Sequence, residues 1–154
     1  MLFSVALLAL VRVAATRGAP AVRAHPFFAG SAGALQVVAH RGGMAEGPEN
    51  TIEAFRRALA SGADVIEMDV RASADGELVV IHDASVDRTT DGSGRVDAMP
   101  LSALRSLDAA YRFSPDGAAT PLRGRGVRIP TLAEVLEALP SARVLAEMKS
   151  AEPS

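Results

Sequence analysis

The sequence predicts an α/β fold built on a largely parallel sheet. Three observations predict it. Beyond residue 35, short apolar runs rich in β-branched residues alternate with stretches of helical periodicity, an order that implies parallel pairing and right-handed crossovers. Clusters of Gly, Pro, Asn and Asp separate those runs. The ionisable residues of the strand candidates gather at their C-terminal ends, the edge where sites assemble in α/β barrels and open α/β sheets.

The elements follow in order. "LQVVAH" (35–40) reads as a first strand, and "RGGMAEGP" as a loop. Asn50 is placed to cap a helix in which Glu53 completes a capping-box-like pair and Ile52, Phe55 and Leu59 share a face. Gly62 ends that helix in the left-handed position. "DVIEMDV" (64–70) is a second strand, "ADG" (74–76) a tight turn, and "ELVVIHD" (77–83) a third strand. The link between these two strands is too short for a helical crossover, so they either pair antiparallel or enter the sheet in an unusual way. A polar excursion precedes a helix over "PLSALRSLDAAYRF", with Leu101, Leu104 and Leu107 as its stripe. After a second loop, Thr131 and Glu134 form a T-x-x-E capping box. Leu132, Val135, Leu136 and Leu139 form the apolar face of that helix, and Pro140 closes it. "RVLAEMK" (143–149) is the fourth strand.

Composition narrows the function classes. The 154 residues are 49% hydrophobic and 22% charged, within the globular range and enough for one domain with a core. A formal net charge of −2 gives no general pull toward nucleic acid. Cysteine is absent, so there is no disulfide framework, and any metal must use oxygen or imidazole donors. Residues 1–34 form an N-terminal apolar segment and linker, distinct from a domain over 35–154. The first 39 residues carry Arg12, Arg17 and Arg23 and no acid. The apolar run is shorter than a spanning helix requires, and no positive charge precedes it as in a signal peptide. The expectation is a cell-envelope location, by membrane association of residues 1–15 or by export, with a cytoplasmic location as the alternative. His25 reads as a solvated linker histidine.

The chemistry starts at "DVIEMDV". Side chains alternate along a strand, so Glu67 and Asp69 share one face while Ile66, Met68 and Val70 share the other. The two acids sit roughly 6.5–7 Å apart at Cα. Burying them unpaired is costly, and a cation between them removes the cost. A wet face of an antiparallel sheet, or pairing with an arginine such as Arg71, is the plainer account. The other strand ends favour the cation. The first finishes at His40, the third at His82 with Asp83 on the opposite face, and the fourth at Glu147 and Lys149. Three carboxylates without cysteine suit Mg²⁺ or Ca²⁺. Two histidines suit proton transfer near neutral pH, and Arg41 and Lys149 suit an anion. Together they suit phosphate ester hydrolysis. Singly, each has a duller reading: His82 and Asp83 as a turn, Glu147 and Lys149 as a solvated strand end, Asn50 as a helix cap, "DRTTDGSG" as turn formers.

The segment "VVAHRGG…PENTIEAFRRALASGADVIEMDVRASADGELVVIHDASVDRTTDGSGRV", with the later "IPTLAEVL…VLAEMK", resembles the glycerophosphodiester phosphodiesterases over about residues 36–149. The motifs HRG, PENT, E-x-D, HD, R-T-T-x-G-x-G and E-x-K occur in order. The resemblance implies a (β/α)₈ TIM-barrel fold with an insertion, here about residues 84–128. It implies His40 and His82 as the catalytic pair, Arg41 and Lys149 at the substrate phosphate, and Glu67, Asp69 and Glu147 as ligands of Mg²⁺ or Ca²⁺. The implied reaction converts a small-molecule glycerophosphodiester into an alcohol and sn-glycerol 3-phosphate, with no nucleic acid partner.

The match breaks at its end. A (β/α)₈ barrel takes about 250 residues, and only the N-terminal half, about four strands, is expected here. Open sheet edges predict self-association. An inactive truncated remnant or a half-barrel that dimerises is one alternative to the hydrolase. A phospholipase-D-like lyase on a related barrel, giving a cyclic phosphate, is another, and a non-catalytic phosphodiester-binding module a third.

Overall fold

The computed structural model describes Phe27 and residues 35–149. The chain divides into two units, Met1–Ala34 and Leu35–Ser154. The N-terminal segment, its expected membrane association and His25 lie outside the described residues. Among the described residues, no helix is long and apolar enough to cross a membrane.

The elements in chain order are β1 (Val38–Ala39), a 3₁₀ turn (His40–Gly42), α1 (Ile52–Ala60), β2 (Val65–Ala72), β3 (Leu78–Val80), a 3₁₀ turn (Val96–Ala98), α2 (Leu101–Leu104), α3 (Leu132–Ala138) and β4 (Val144–Met148). β2 organises the sheet. β1 pairs parallel with its start, Val38 opposite Val65 and Ala39 opposite Ile66. β4 pairs parallel from Ile66 opposite Val144 to Val70 opposite Met148. The short link after β2 makes a hairpin: Ser73 N–H donates to the Glu77 carbonyl at 2.9 Å and Gly76 takes φ +83°. β3 therefore returns antiparallel, Val80 opposite Val70. Of the four strands, three run parallel, in the order β1–β2–β4, and the described sheet is open.

Backbone parity explains the arrangement. Odd residues of β2 bond first to β1 and then to β3: Val65 N–H meets the Val37 carbonyl, and the Asp69 carbonyl receives Ile81 N–H. Even residues bond to the strand on the other side, Ile66 N–H to the Arg143 carbonyl and the Val70 carbonyl to Lys149 N–H. Side chains divide the same way. Ile66, Met68 and Val70 pack with Phe55 and Ala58 of α1, with Val135 of α3 and with Leu139 at its end. Each such fully buried side chain contributes about 1.5–3 kcal/mol relative to exposure. Glu67, Asp69 and Arg71 take the opposite face. A second core, with Val79, Ile81, Val86, Val96, Leu104, Ala109 and Ile129, lies beyond β3.

Five expectations are corrected. The first strand spans 38–39, not 35–40, and His40 opens a 3₁₀ turn instead of ending the strand. The cap of α1 is Thr51, whose hydroxyl accepts Ala54 N–H at 3.2 Å and donates to the Pro48 carbonyl at 2.7 Å. Asn50 is not the cap, because its side chain reaches Asp69 instead. The third strand spans 78–80, not 77–83. The helix expected over 100–113 is the four-residue α2. Beyond it the Asp108 carboxylate accepts Ala110 N–H, in competition with the helical i−4 carbonyl, and Gly124 N–H, which ties this stretch into turns. Leu136 is 49% exposed, since Val135 and Leu139, spaced four apart, take the core face of a seven-residue helix. The capping box of Thr131 and Glu134 forms as expected.

Candidate active site

The site is built where β1 ends against β2. Arg41 takes a left-handed conformation, φ 53° and ψ 27°. That bend aims its backbone N–H at Glu67 Oε2, 2.8 Å away. Its side chain reaches Asp69 Oδ2 from Nε at 3.3 Å and Glu49 from a terminal nitrogen at 3.2 Å. Gly42 makes the bend feasible. At φ +81°, a Cβ there would lie 2.7 Å from a ring carbon of Phe55.

Glu67, Asp69 and Glu147 each offer a carboxylate oxygen, and these oxygens lie within 4.8 Å of one another. Register does this: Asp69 faces Glu147 across the β2–β4 pair, and Glu67 lies one pleat earlier on the same face. Asp69 is 1% exposed and Glu147 59%. Lys149 Nζ lies 3.0 Å from Asp69 Oδ1 and 2.6 Å from Glu147 Oε1. Burial pushes the Asp69 carboxyl up, but the Asn50 amide and the Lys149 ammonium outweigh it and hold the group below the ordinary aspartate range. The Glu147 carboxylate, with Asp69 behind it, raises Lys149.

Asn50 locks Asp69 from both ends. Its Nδ2 donates to Asp69 Oδ2 at 2.9 Å, and its Oδ1 accepts Asp69 N–H at 3.1 Å. Asp69 Oδ1 is buried and receives no well-aligned hydrogen bond, despite the nearby ammonium. An all-oxygen donor set with an under-satisfied buried oxygen fits a hard divalent cation, and Glu67, Asp69 and Glu147 could hold one.

His82 enters through β3. The strand ends at Val80, so alternation no longer governs residues 82 and 83, and Asp83 turns toward His82 instead of away from it. Asp83 Oδ1 lies 2.6 Å from His82 Nδ1. On that contact we assign the proton to Nδ1, which leaves Nε2 to accept or deliver a proton. Arg88 Nε grips Asp83 at 2.6 Å and its two terminal nitrogens grip Glu49 at 2.7 Å each. Arg88, then the His82 contact, hold the Asp83 carboxyl down at about 2 despite partial burial. Burial pushes Glu49 up, and Arg88 and Arg41 together bring it below its ordinary value. Arg71 braces the loop by donating from Nε to the His82 carbonyl at 2.7 Å. A continuous charged chain thus runs from His82 through Asp83, Arg88 and Glu49 to Arg41 and Asp69.

Six of the seven residues singled out in the sequence are joined: Glu67, Asp69, Glu147, Lys149 and Arg41 directly, His82 through that chain. His40 is exposed beside Arg41, and its imidazole makes no hydrogen bond or ion pair among the described residues. Sequence reasoning missed Glu49, Asn50 and Arg88 as members of the site. The motifs PENT and R-T-T-x-G-x-G carry all three, but neither periodicity nor spacing tells which loop side chain reaches back to β2.

Comparison with known proteins identifies the family. A family model described as the glycerophosphoryl diester phosphodiesterase family matches residues 40–153. The chain is similar to the glycerophosphodiester phosphodiesterase of Caldanaerobacter subterraneus, 52% identical over 101 residues, which cover 66% of this chain and 39% of that protein. It is similar to the crystal structure of a glycerophosphodiester phosphodiesterase from Agrobacterium tumefaciens, with a TM-score of 0.65 and 43% identity, over 75% of this chain and 47% of that one. An Oleispira antarctica phosphodiesterase, solved in complex with the product sn-glycerol-3-phosphate, also matches with a TM-score of 0.65 and 36% identity, over 75% of this chain and 44% of that one. The chain spans well under two thirds of each. With the family match running from His40 past Lys149, and so through every residue of the site, the chain belongs to the glycerophosphoryl diester phosphodiesterase family.

Proposed function

We propose that this chain carries the acid–base and cation-binding part of a phosphoric diester hydrolase acting on glycerophosphodiesters. One observation carries the reading. Three carboxylates converge within 4.8 Å beside two cationic side chains, and an imidazole oriented by a carboxylate belongs to the same network. The likeness to the Oleispira antarctica protein with its bound product supports the substrate class.

Arg41 and Lys149 receive the non-bridging oxygens of the phosphodiester, Arg41 through a planar fork and Lys149 as a point charge. Glu67, Asp69 and Glu147 would hold Mg²⁺ or Ca²⁺, with Asn50 fixing Asp69. A cation bound there would supply Lewis-acid polarisation of a phosphoryl oxygen and offset the charge that builds on it. His82 and His40 divide the two proton transfers. One takes a proton from the attacking water; the other protonates the leaving alkoxide as the P–O bond breaks. Products are an alcohol and sn-glycerol 3-phosphate.

We read the described sheet as the N-terminal arc of a (β/α)₈ barrel, with residues 84–128 as its insertion and the N-terminal segment as an envelope anchor or export signal. The test is turnover of glycerophosphocholine by a folded sample, with and without Mg²⁺ or Ca²⁺, beside His40→Ala and His82→Ala. Cation-dependent release of glycerol 3-phosphate, lost in both variants, is expected. Absence of cation-dependent turnover from folded protein overturns the hydrolase reading for this chain. Phosphorus NMR separates it from a lyase, whose product is a cyclic phosphate.

A further inference from the structure

A second cationic groove lies apart from the acid cluster. It opens between the first turn of α1, the start of α3 and the loop 125–130, and encloses about 360 Å³. Arg56, Arg105, Arg125 and Arg128 line it, with Glu53 and Glu134 as its only acids among the described residues. None of the seven residues of the proposed reaction lines it.

Both acids are already engaged. Glu53 accepts from Arg57 Nε at 2.8 Å. Glu134 pairs with Arg105 and also closes the α3 capping box by accepting Thr131 N–H at 2.9 Å. Arg128 donates to the Arg105 carbonyl, so Arg105 and Arg128 are held in place. The side chains of Arg56 and Arg125 make no hydrogen bond or ion pair among the described residues, and both residues are exposed. Residues distant in sequence thus bring four guanidinium groups to one concave surface. Their mutual repulsion falls when an anion sits among them. The N-terminal turn of the nine-residue α1 adds partial positive charge on the same wall.

We propose that this groove binds a phosphate-bearing small anion. Guanidinium forks match phosphate oxygens in pairs, and two of the four are unspent by the protein. The volume lies within the range of about 300–1,000 Å³ usual for small-ligand sites. A free phosphomonoester or diphosphate and a lipid headgroup share this chemistry. The inference stands independently of the catalytic reading.

The experiment is a titration of the full chain with pyrophosphate, read by backbone amide shifts. Saturable shifts are expected at Ile52 and at Arg125 through Arg128. The Arg56→Gln/Arg125→Gln variant is expected to bind about tenfold or more weakly, having lost two charge-assisted contacts. Arg41→Gln, which alters the other phosphate site, leaves the groove shifts in place. Co-sedimentation with phosphatidic acid vesicles, competed by pyrophosphate, identifies the headgroup as the source. Binding of pyrophosphate without vesicle binding identifies a free anion. An absence of saturable shifts at the groove amides, or unchanged affinity in the double variant, overturns the proposal. Should the glutamine variant lose its dispersed spectrum, Arg56→Lys/Arg125→Lys decides: weakened binding supports the groove, and unchanged binding overturns it.

Discussion

Asp83 shows how one side chain joins stability to chemistry. Its carboxyl, held at about 2 by Arg88 and His82, favours the charged form in the folded protein. A depressed folded-state value contributes stability that is complete above the unfolded value of 3.8 and is lost as pH falls from there toward about 2. Asp83→Asn is therefore expected to flatten the acid limb of the melting-temperature profile in that window. It also removes the acceptor that fixes the His82 ring, so turnover is expected to fall about 10²–10⁴-fold, with the Michaelis constant moving less. An unchanged acid limb together with full activity speaks against the pairing. Asn50 acts on the cation instead. Asn50→Ala leaves Asp69 N–H buried without its partner, a loss of about 1–3 kcal/mol. Calorimetric titration with Mg²⁺ or Ca²⁺ is expected to show affinity about 10–100-fold weaker. Equal affinity means that Asn50 serves only the fold.

At the scale of elements, legibility followed how local the cause is. β2 could be read because alternation divides Glu67 and Asp69 from Ile66, Met68 and Val70, and that division needs only one strand. The α3 capping box is equally local. The length of α2 could not be read, because the turns that follow Leu104 are held by Asp108, which captures the amide of Gly124, sixteen residues on. The same holds for Asn50, whose partner Asp69 is nineteen residues away. His82 was placed at the end of a third strand whose direction the short link left open; it reaches the site because β3 returns antiparallel alongside Asp69. The Arg41 bend has a cause legible only in three dimensions: Gly42 passes against Phe55. Gly42→Ala puts a methyl group into that ring contact at a positive φ. We expect it to lower stability by about 1–3 kcal/mol, read by urea denaturation, and to impair cation binding by displacing the Arg41 amide from Glu67. A stability equal to the parent's means that α1 can shift to accept the methyl.

For the whole molecule, the outer edge of β4 is the main structural demand left open. Leu145 is 51% exposed on the face that carries the acids, and Met148, also of β4, is 61% exposed. Among the described residues no strand pairs with that outer edge. An edge of free N–H and carbonyl groups beside exposed apolar side chains recruits another strand. For this chain in isolation, a second copy is the available source. Parity makes the idea testable. Odd residues of β4 bond to β2, as the Lys149 N–H and the Arg143 carbonyl show, so Ala146 N–H points to the open side. Ala146→Pro removes a donor from that edge while sparing the ladder to β2. Leu145→Lys places a charge on the inner face and leaves the edge intact. Sedimentation of the parent chain is expected to depend on concentration. Ala146→Pro alone returning it to monomer assigns association to strand pairing, whereas rescue by Leu145→Lys alone assigns it to the apolar face. A parent that stays monomeric across the concentration range, with a cooperative melt, removes the need for a partner: the three parallel strands, the β3 hairpin and the two cores then suffice to hold the acid cluster in place.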